Sequence, residues 1–496
     1  MKTDVVVAGW GQVTQPKELD TPPQDPMGLM VRASRAAAAK LKAPELLSDV
    51  DGILTVKSLS AHYENPAGEL AGKLGASPKF LFESRIGGNS PQTLINRAAG
   101  MIARNELETV LVAGAEAYVP RTARAEKPDS ALLQGIPEDY DGDDADGVTP
   151  LEIRYGIEHP MQGFPLFETA LWAASGLEIT SYLSRVARFW SEFSRTASDH
   201  PHAWSREIRT PEEILTPSMH NRPIAFPYTK FMNSFVTVDM GAAVILMSAD
   251  AARSRGAAKG KTVYFCGGGY AEDRQRFMIQ KTDFTSSPPL KAAVDKALGR
   301  SGMGLADLDV LDLYSCFPCA VSIARKMLDI GDNDPRPLTL TGGLGFFGGP
   351  GNNYNLHAVA TLCEMIASGQ ARTGMATALG WFMHKHAAGI YSALPPKKSL
   401  ATMDLEDRKD FLAGPGPIEI DPAPAGTGIV ETYTVVYNRD RQPAYAVIYG
   451  RTENGMRFIA RTPDDRGIFE MLMTRSMVGE KVILEDGQNL TVARFQ

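Results

Sequence analysis

The sequence contains few cysteines and no export or membrane signal. Only Cys266, Cys316, Cys319 and Cys363 occur in 496 residues, too few for a disulfide framework in a chain of this length. The apolar run near the N-terminus is too short for the core of a signal peptide or for a membrane span. We therefore expect a cytoplasmic protein with reduced thiols and no membrane insertion.

The sequence also lacks a block of positive charge. Its net charge is −7 and its estimated pI is 5.7, with lysine and arginine scattered along the chain, so no nucleic-acid partner is expected. Cys316 and Cys319 have the spacing of a redox pair, but no thioredoxin-like context surrounds them, and four-coordinate zinc would need another close pair of ligands. No metal site is predicted.

Strand and helix patterns alternate along most of the chain. Residues 4–8, 50–56, 80–83 and 110–113 read as buried strands with helical spacing between them, which indicates an α/β fold with a parallel sheet. From residue 263 the same order of strands and helices begins again. The repeat predicts an internal duplication, although no repeated residue motif supports it.

The composition divides the chain into four parts. The first half is expected to span residues 1–256 and to include a lid-like insertion at 120–235, which is rich in proline, aromatic residues and charge. The second half covers 257–395, and a proline- and glycine-rich linker covers 396–428. Short β-rich runs within 429–496 predict a small, five-stranded, OB-like barrel.

A glycine turn at residues 87–91 is the most informative local motif. It follows a predicted strand and leads into a predicted helix, where Ser90 and Pro91 suit the N-cap and the first helical position. Backbone N–H groups at such a helix start can face an anion or an oxyanion.

Four stretches, at residues 87–117, 312–321, 341–357 and 375–391, together resemble the thiolase superfamily, specifically its sterol-carrier-protein-like branch. The resemblance covers about residues 1–395. It implies duplicated βαβ layers in the order αβαβα, with coenzyme A or acyl-CoA as substrate or ligand and no bound cofactor. Thiolases as a family form and break carbon–carbon bonds through an acyl-cysteine.

The usual catalytic groups of that family are missing here. The nucleophile position holds Asn89, the oxyanion-donor position holds Tyr314, and glycine replaces the histidine of the Gly-His-Pro motif at Gly349. The late acid/base cysteine would fall near Leu379. Ordinary thiolysis or condensation is therefore not expected.

Other polar residues in the same loops could replace the missing chemistry. His357 and His386 are candidate bases, and Cys316 or Ser90 is a candidate nucleophile. Asn89, Tyr314 and Asn353 are further candidate catalytic residues. Each of the first four also has a structural interpretation. The histidines are then hydrogen-bonded residues near a helix start or the end of the sheet, Cys316 is a buried core residue, and Ser90 is a helix N-cap.

The lid and one glycine loop supply candidate ligand contacts. Tyr228, Lys230 and Asn233 of the insertion, with Gly348 and Gly349, are predicted to bind the acyl chain and the pantetheine arm, although packing of the lid on the sheet is an equal alternative.

These observations favour an acyl-CoA-binding protein and leave open acyltransferase activity with altered residues. The alternative is a non-catalytic module whose C-terminal β domain recruits a partner. A third possibility is acyl transfer through Cys316. Both a homodimer and a monomer, the latter with the extra domain covering the interface, remain compatible with the sequence.

Overall fold

The structure is a computed structural model that describes residues 3–18, 22–119, 147–255, 262–407, 410–487 and 490–495. The start of the predicted insertion, at 120–146, and the predicted boundary between the two halves lie outside the described residues.

The strands are β1 (Val5–Thr14), β2 (Gly52–Thr55), β3 (Phe80–Glu83), β4 (Thr109–Ala117), β5 (Pro223–Ala225), β6 (Tyr228–Thr229), β7 (Asp239–Ser248), β8 (Val263–Asp273), β9 (Val310–Asp312), β10 (Thr373–Gly380), β11 (Lys385–Ser392), β12 (Leu412–Ala413), β13 (Gly426–Tyr437), β14 (Pro443–Thr452), β15 (Arg457–Arg461), β16 (Lys481–Asp486) and β17 (Thr491–Phe495). The α-helices are α1 (Pro26–Lys40), α2 (Pro66–Leu74), α3 (Ser90–Ala103), α4 (Pro150–Arg154), α5 (Pro160–Ser175), α6 (Ile179–Asp199), α7 (Pro211–Leu215), α8 (Ala249–Ser254), α9 (Pro288–Ser301), α10 (Pro318–Met327), α11 (Gly343–Phe346), α12 (Tyr354–Ala367) and α13 (Arg466–Thr474).

Two half-sheets with the same pairing pattern form the core. In the first, β1 and β7 are antiparallel, β7 and β4 are antiparallel, and β4 and β2 are parallel. In the second, β8–β11, β11–β10 and β10–β9 repeat these three relationships, and β1 joins β8 across the halves. The predicted duplication is confirmed. The sheet is mixed, whereas the sequence pattern had indicated a parallel sheet. That prediction was wrong because strand patterns in a sequence reveal burial but not strand direction.

Helices α3 and α12 lie between the two half-sheets, where both contact strands of both halves. Helix α1 covers the outer side of the first half and α9 the outer side of the second. This is the predicted αβαβα layering. Because both faces of α3 are covered, most of its residues are buried, including the polar Gln92 and Asn96, which hydrogen-bond to each other.

The C-terminal residues form a five-stranded barrel, as predicted. Its strands close in the order β13-β14-β15-β17-β16 and back to β13, and α13, which the sequence reading missed, lies between β15 and β16. This is the OB arrangement. Strand β5 of the insertion pairs with β13, so the insertion and the barrel share one sheet.

The β14–β15 side of the barrel faces the rest of the chain. The hydroxyl of Tyr445 donates to the Gly156 carbonyl at 2.9 Å, and Arg461 Nε donates to the Tyr155 carbonyl at 2.8 Å. In OB folds this side commonly binds ligands. Here the chain itself occupies it.

The segment between the core and the barrel is packed rather than loose. Leu400 and Leu405 are buried in a core cluster to which both halves contribute, Asp407 pairs with Arg300, and β12 pairs with β8. We call residues 400–418 the strap. Among the described residues, no helix has the length and apolar character that a membrane span requires.

Candidate functional site at the start of helix α3

The loop from Ser84 to Asn89 brings backbone and side-chain polar groups to the N-terminus of α3. Gly87 has φ 147°, a conformation that favours glycine. The N-cap position is Asn89, one residue earlier than predicted, and its side chain makes no capping bond. Ser90 is the first helical residue, and its hydroxyl donates to the Arg85 carbonyl at 2.7 Å, so this hydroxyl stabilises the turn.

Tyr314 meets this loop from the second half of the fold. Its hydroxyl fills the space where a Cβ atom on Gly88 would lie, and the Leu379 carbonyl lies on the same side. The Tyr314 ring packs edge-on against Tyr354, with 5.5 Å between ring centroids. Burial raises the pKa of Tyr314 well above its usual value, so the phenol remains a hydrogen-bond donor at neutral pH.

The glycine-rich loop before α12 is tied to the same turn by Asn352. Its Oδ1 accepts from the Gly87 N–H at 2.9 Å, and its Nδ2 donates to the Lys57 carbonyl at 2.9 Å. The neighbouring Asn353 donates to the Gly114 carbonyl at 2.7 Å. The structure therefore brings together Asn89, Tyr314 and Asn353, and adds Asn352 to the predicted set.

Gly348 and Gly349 precede Asn352 in the same loop and face the insertion. A Cβ atom on Gly348 would meet Met240, and the Gly349 N–H donates to the Phe235 carbonyl at 2.9 Å. These contacts fix the loop to the strand that follows the insertion.

Tyr228, Lys230 and Asn233 are separated from the α3 turn by packed aromatic rings. Tyr228 stacks on Phe317, which stacks on Phe164 with 4.4 Å between centroids. The Tyr228 hydroxyl donates to the buried carboxylate of Glu168 at 2.5 Å. Asn233 donates to the Thr229 carbonyl, and Lys230 is exposed. The insertion side of the site is thus filled by side chains.

Cys316 lies at the edge of this aromatic packing. It is a free cysteine with 7% of its surface exposed, and burial raises the pKa of its thiol. Since the thiolate is the nucleophile, this environment leaves little reactive form at neutral pH.

The two predicted histidine bases point away from α3. His357 Nδ1 is 2.9 Å from Gln12 Oε1 of β1, and His386 Nε2 is 3.0 Å from the Ser287 hydroxyl on the α9 side. Burial lowers the pKa of His357 well below its usual value and that of His386 to about 3. Both rings are therefore neutral near pH 7.

Lys385, rather than His357 or His386, lies beside the start of α3. It pairs with Gly380 across the β10–β11 hairpin, and its Cβ lies near Gly380, beside the Asn89 side chain. The sequence signal was present, because strand alternation places Lys385 and His386 on opposite faces.

A cavity of about 350 Å³ opens beside the α3 turn. Asn89, Ser90 and Thr93 line it from the helix, and Lys385 and Glu272 from the second half. The remaining walls are formed by Phe82, Ser84, Arg85, Ile86, Leu94, Arg97, Tyr270, Glu406, Asp407 and Phe411. The strap therefore completes a cavity that the two halves begin.

Several buried polar atoms around this region have no hydrogen-bond partner within the described residues. They include Asn89 Oδ1, Ser315 Oγ, Asn353 Oδ1 and Trp381 Nε1. Buried polar groups are normally satisfied, so their concentration in the loops around α3 is typical of a place where a ligand or water binds. The described residues contain no group of three or more His, Cys, Asp or Glu side chains arranged to hold a metal ion.

Comparisons with solved structures define the class as a protein with the thiolase fold. The chain is similar to a monomeric SCP2-thiolase-like protein type 1 from Mycobacterium smegmatis, with 29% identity, 99% coverage of both chains and a TM-score of 0.82. It also resembles an Ltp2-ChsH2(DUF35) aldolase, with 17% identity, coverage of 80% of this chain and 98% of that one, and a TM-score of 0.61. Human mitochondrial 3-ketoacyl-CoA thiolase in complex with CoA matches at 16% identity, 79% and 98% coverage and a TM-score of 0.57.

The C-terminal domain has a family match of its own. Residues 413–488 match the model described as the thiolase-like protein type 1 additional C-terminal domain. The chain is therefore similar over its whole length to an SCP2-thiolase-like protein of type 1, and its C-terminal residues match the additional domain of that type. No curated protein sequence matches it.

Proposed function

We propose that this protein binds a CoA thioester at the start of α3 and holds it without covalent acyl transfer. The observation that carries the proposal is the cavity of about 350 Å³ onto which Asn89 and Ser90 open. Its size is near the lower end for ligand pockets. It suits the thioester end and part of a pantetheine arm, with the nucleotide outside.

Binding groups for a thioester are present near the end of this cavity. Asn89 carries a carboxamide, and the Tyr314 hydroxyl lies against the same turn. Either can donate a hydrogen bond to a carbonyl oxygen. The N-terminus of α3, a helix of 14 residues, adds a positive electrostatic end.

The groups that covalent transfer requires are not assembled there. Asn89 has no nucleophilic atom, and the Ser90 hydroxyl already donates to a carbonyl. The buried Cys316 has a raised pKa, while His357 and His386 contact Gln12 and Ser287. A nucleophile needs an adjacent base or a lowered pKa, and this arrangement supplies neither.

Isothermal titration of the full chain with CoA, acetyl-CoA and longer acyl-CoA thioesters tests the proposal. We expect saturable binding of thioesters, weakened about tenfold in Asn89→Ala, which corresponds to one lost hydrogen bond of about 1.4 kcal/mol. The exposed variant Gln370→Ala serves as the control. Absence of binding at millimolar ligand would overturn the proposal.

Intact-mass spectrometry after incubation with acetyl-CoA separates binding from transfer. An unmodified protein is expected, with the same acetyl-CoA affinity in Cys316→Ala. An acetyl adduct on Cys316 would instead identify an acyltransferase.

A further inference from the structure

Several arginines lie at the opening of the α3 cavity. Arg85 lies on the cavity wall directly before the glycine turn. A neighbouring cavity of about 390 Å³, lined by Arg274, Arg276 and the strap residue Leu412, shares Glu272 with it as a common wall. The two cavities therefore lie side by side along the strap.

Arg85 differs from the other arginines nearby in its ionic contacts. Arg97 pairs with Glu406 at 3.7 Å, and Arg300 pairs with Asp407 at 2.6 Å. Within the described residues, the Arg85 guanidinium makes no ion pair with a carboxylate. Its positive charge is available to a ligand.

Arg276 stands close enough to Arg85 for the two charges to repel. Burial and the positive charge of Arg85 lower the pKa of Arg276, and the Arg276 guanidinium lies 5.5 Å from the Phe277 ring centroid. Glu272, the carboxylate on the shared wall, accepts a hydrogen bond from the Tyr270 hydroxyl. Two adjacent guanidinium groups are stabilised when an anion lies between them.

The arginines and Asn89, where the thioester is proposed to bind, belong to one continuous site. Asn89 is 5% exposed and lines the same cavity as Arg85, and its amide nitrogen can donate a hydrogen bond to a carbonyl oxygen. On the insertion side of the α3 turn, the rings of Phe164, Phe317 and Phe382 fill the space. A ligand that reaches Asn89 would therefore pass the arginines.

We infer that the ligand enters along the strap and that Arg85 and Arg276 bind its phosphate groups, while its thioester lies at Asn89. This inference rests on the proposed function and adds the direction of entry and the residues that recognise the nucleotide end. Arginine suits this role because its planar donors match phosphate oxygens.

The test compares two thioesters that differ in their phosphates. Acetyl-CoA and S-acetyl-N-acetylcysteamine, which has no phosphate, are titrated into the full chain and into Arg85→Gln and Arg276→Gln. Each variant should weaken acetyl-CoA binding about tenfold, or about 1.4 kcal/mol, and leave the cysteamine thioester unaffected. The exposed variant Arg439→Gln is the matched control and should change neither affinity.

Added salt gives a second measurement. It should weaken acetyl-CoA binding to the wild type more than binding to Arg85→Gln, because screening acts on the charges that the variant removes. Unchanged acetyl-CoA affinity in both arginine variants would overturn this inference and leave the proposed function standing. Equal losses for both thioesters would also overturn it, since they would reveal a structural role. Failure of acetyl-CoA to bind the wild type would remove the proposed function as well.

Discussion

The Tyr314 hydroxyl lies where a side chain on Gly88 would have to be. The two residues are on different halves of the duplicated fold, so this contact joins the halves at the start of α3. Substituting Gly88→Ala should force the new methyl group against both Tyr314 and the Leu379 carbonyl. We expect a loss of about 1–3 kcal/mol in the free energy of unfolding.

Urea unfolding measures this loss, and Gly72→Ala is the matched control. Gly72 lies in α2 with open space around it, so alanine there should stabilise the protein by about 0.5–1 kcal/mol. Adding Tyr314→Phe to Gly88→Ala should restore part of the stability. A Gly88→Ala protein as stable as the wild type would show that the two halves separate easily at this point.

Asn352 should be needed for the stability of the α3 turn. Asn352→Ala leaves the Gly87 N–H and the Lys57 carbonyl without their hydrogen bonds, and we expect a cost of about 1–3 kcal/mol. Denaturant titration measures it, with Gln370→Ala, an exposed residue, expected to change stability by less than about 0.5 kcal/mol. Equal stabilities of the two variants would contradict this account.

Glu116 should make stability depend on pH. It is buried, with four hydrogen bonds from Ser58, Leu59 and Ser60, and burial raises its pKa to about 7. A carboxyl whose pKa is higher in the folded state contributes stability below its unfolded pKa, and this contribution is lost as the pH rises through 7. The full effect is on the order of 3 kcal/mol.

The measurement is the difference in unfolding free energy between wild type and Glu116→Gln at pH 5, 6, 7 and 8. The variant should be less stable than the wild type at every pH, because its amide nitrogen cannot accept a hydrogen bond from the N–H and O–H groups around Glu116. The wild type should lose part of its advantage as the pH rises. A difference that stays constant across this range would mean that Glu116 keeps an ordinary pKa.

The barrel should depend on a charge pair near the core. Arg457 is fully buried and pairs with Glu431, while its guanidinium also donates to the Lys281 carbonyl. Glu431→Gln removes the counter-charge, and we expect a loss of about 3 kcal/mol. Glu485→Gln breaks an exposed pair with Arg494 and should cost less than about 1 kcal/mol. The double variant Glu431→Gln/Arg457→Met should recover stability, and failure to recover would argue that the contact with Lys281 dominates.

The sequence was sufficient to predict the loops of the site but not the direction of every side chain. In the structure the glycine turn contacts Tyr314 through Gly88, and it contacts the loop containing Asn353 through a hydrogen bond between Gly87 and Asn352. Helical periodicity places His357 and Thr361 on one face of α12. That face packs against Gln12 of β1 and His200 because α12 is covered on both sides, and a single helix pattern cannot show which neighbour each side meets.

The cavity itself depends on contacts between distant segments. Arg85, Glu272 and Asp407 come from a loop, a strand of the second half and the strap, and no local pattern links them. The proline- and glycine-rich composition of residues 396–428 indicated a linker. It did not reveal that Leu400, Leu405 and Asp407 would be buried.

The pairing of β5 with β13 has a consequence for proteolysis. A protease that cut the exposed stretch around Gly416 would sever the covalent connection between the core and the barrel. Strand β5 comes from the middle of the chain and would still hold the C-terminal piece through its backbone hydrogen bonds and the surrounding contacts. Nicked protein should therefore migrate as a single species under native conditions and as two fragments only after denaturation.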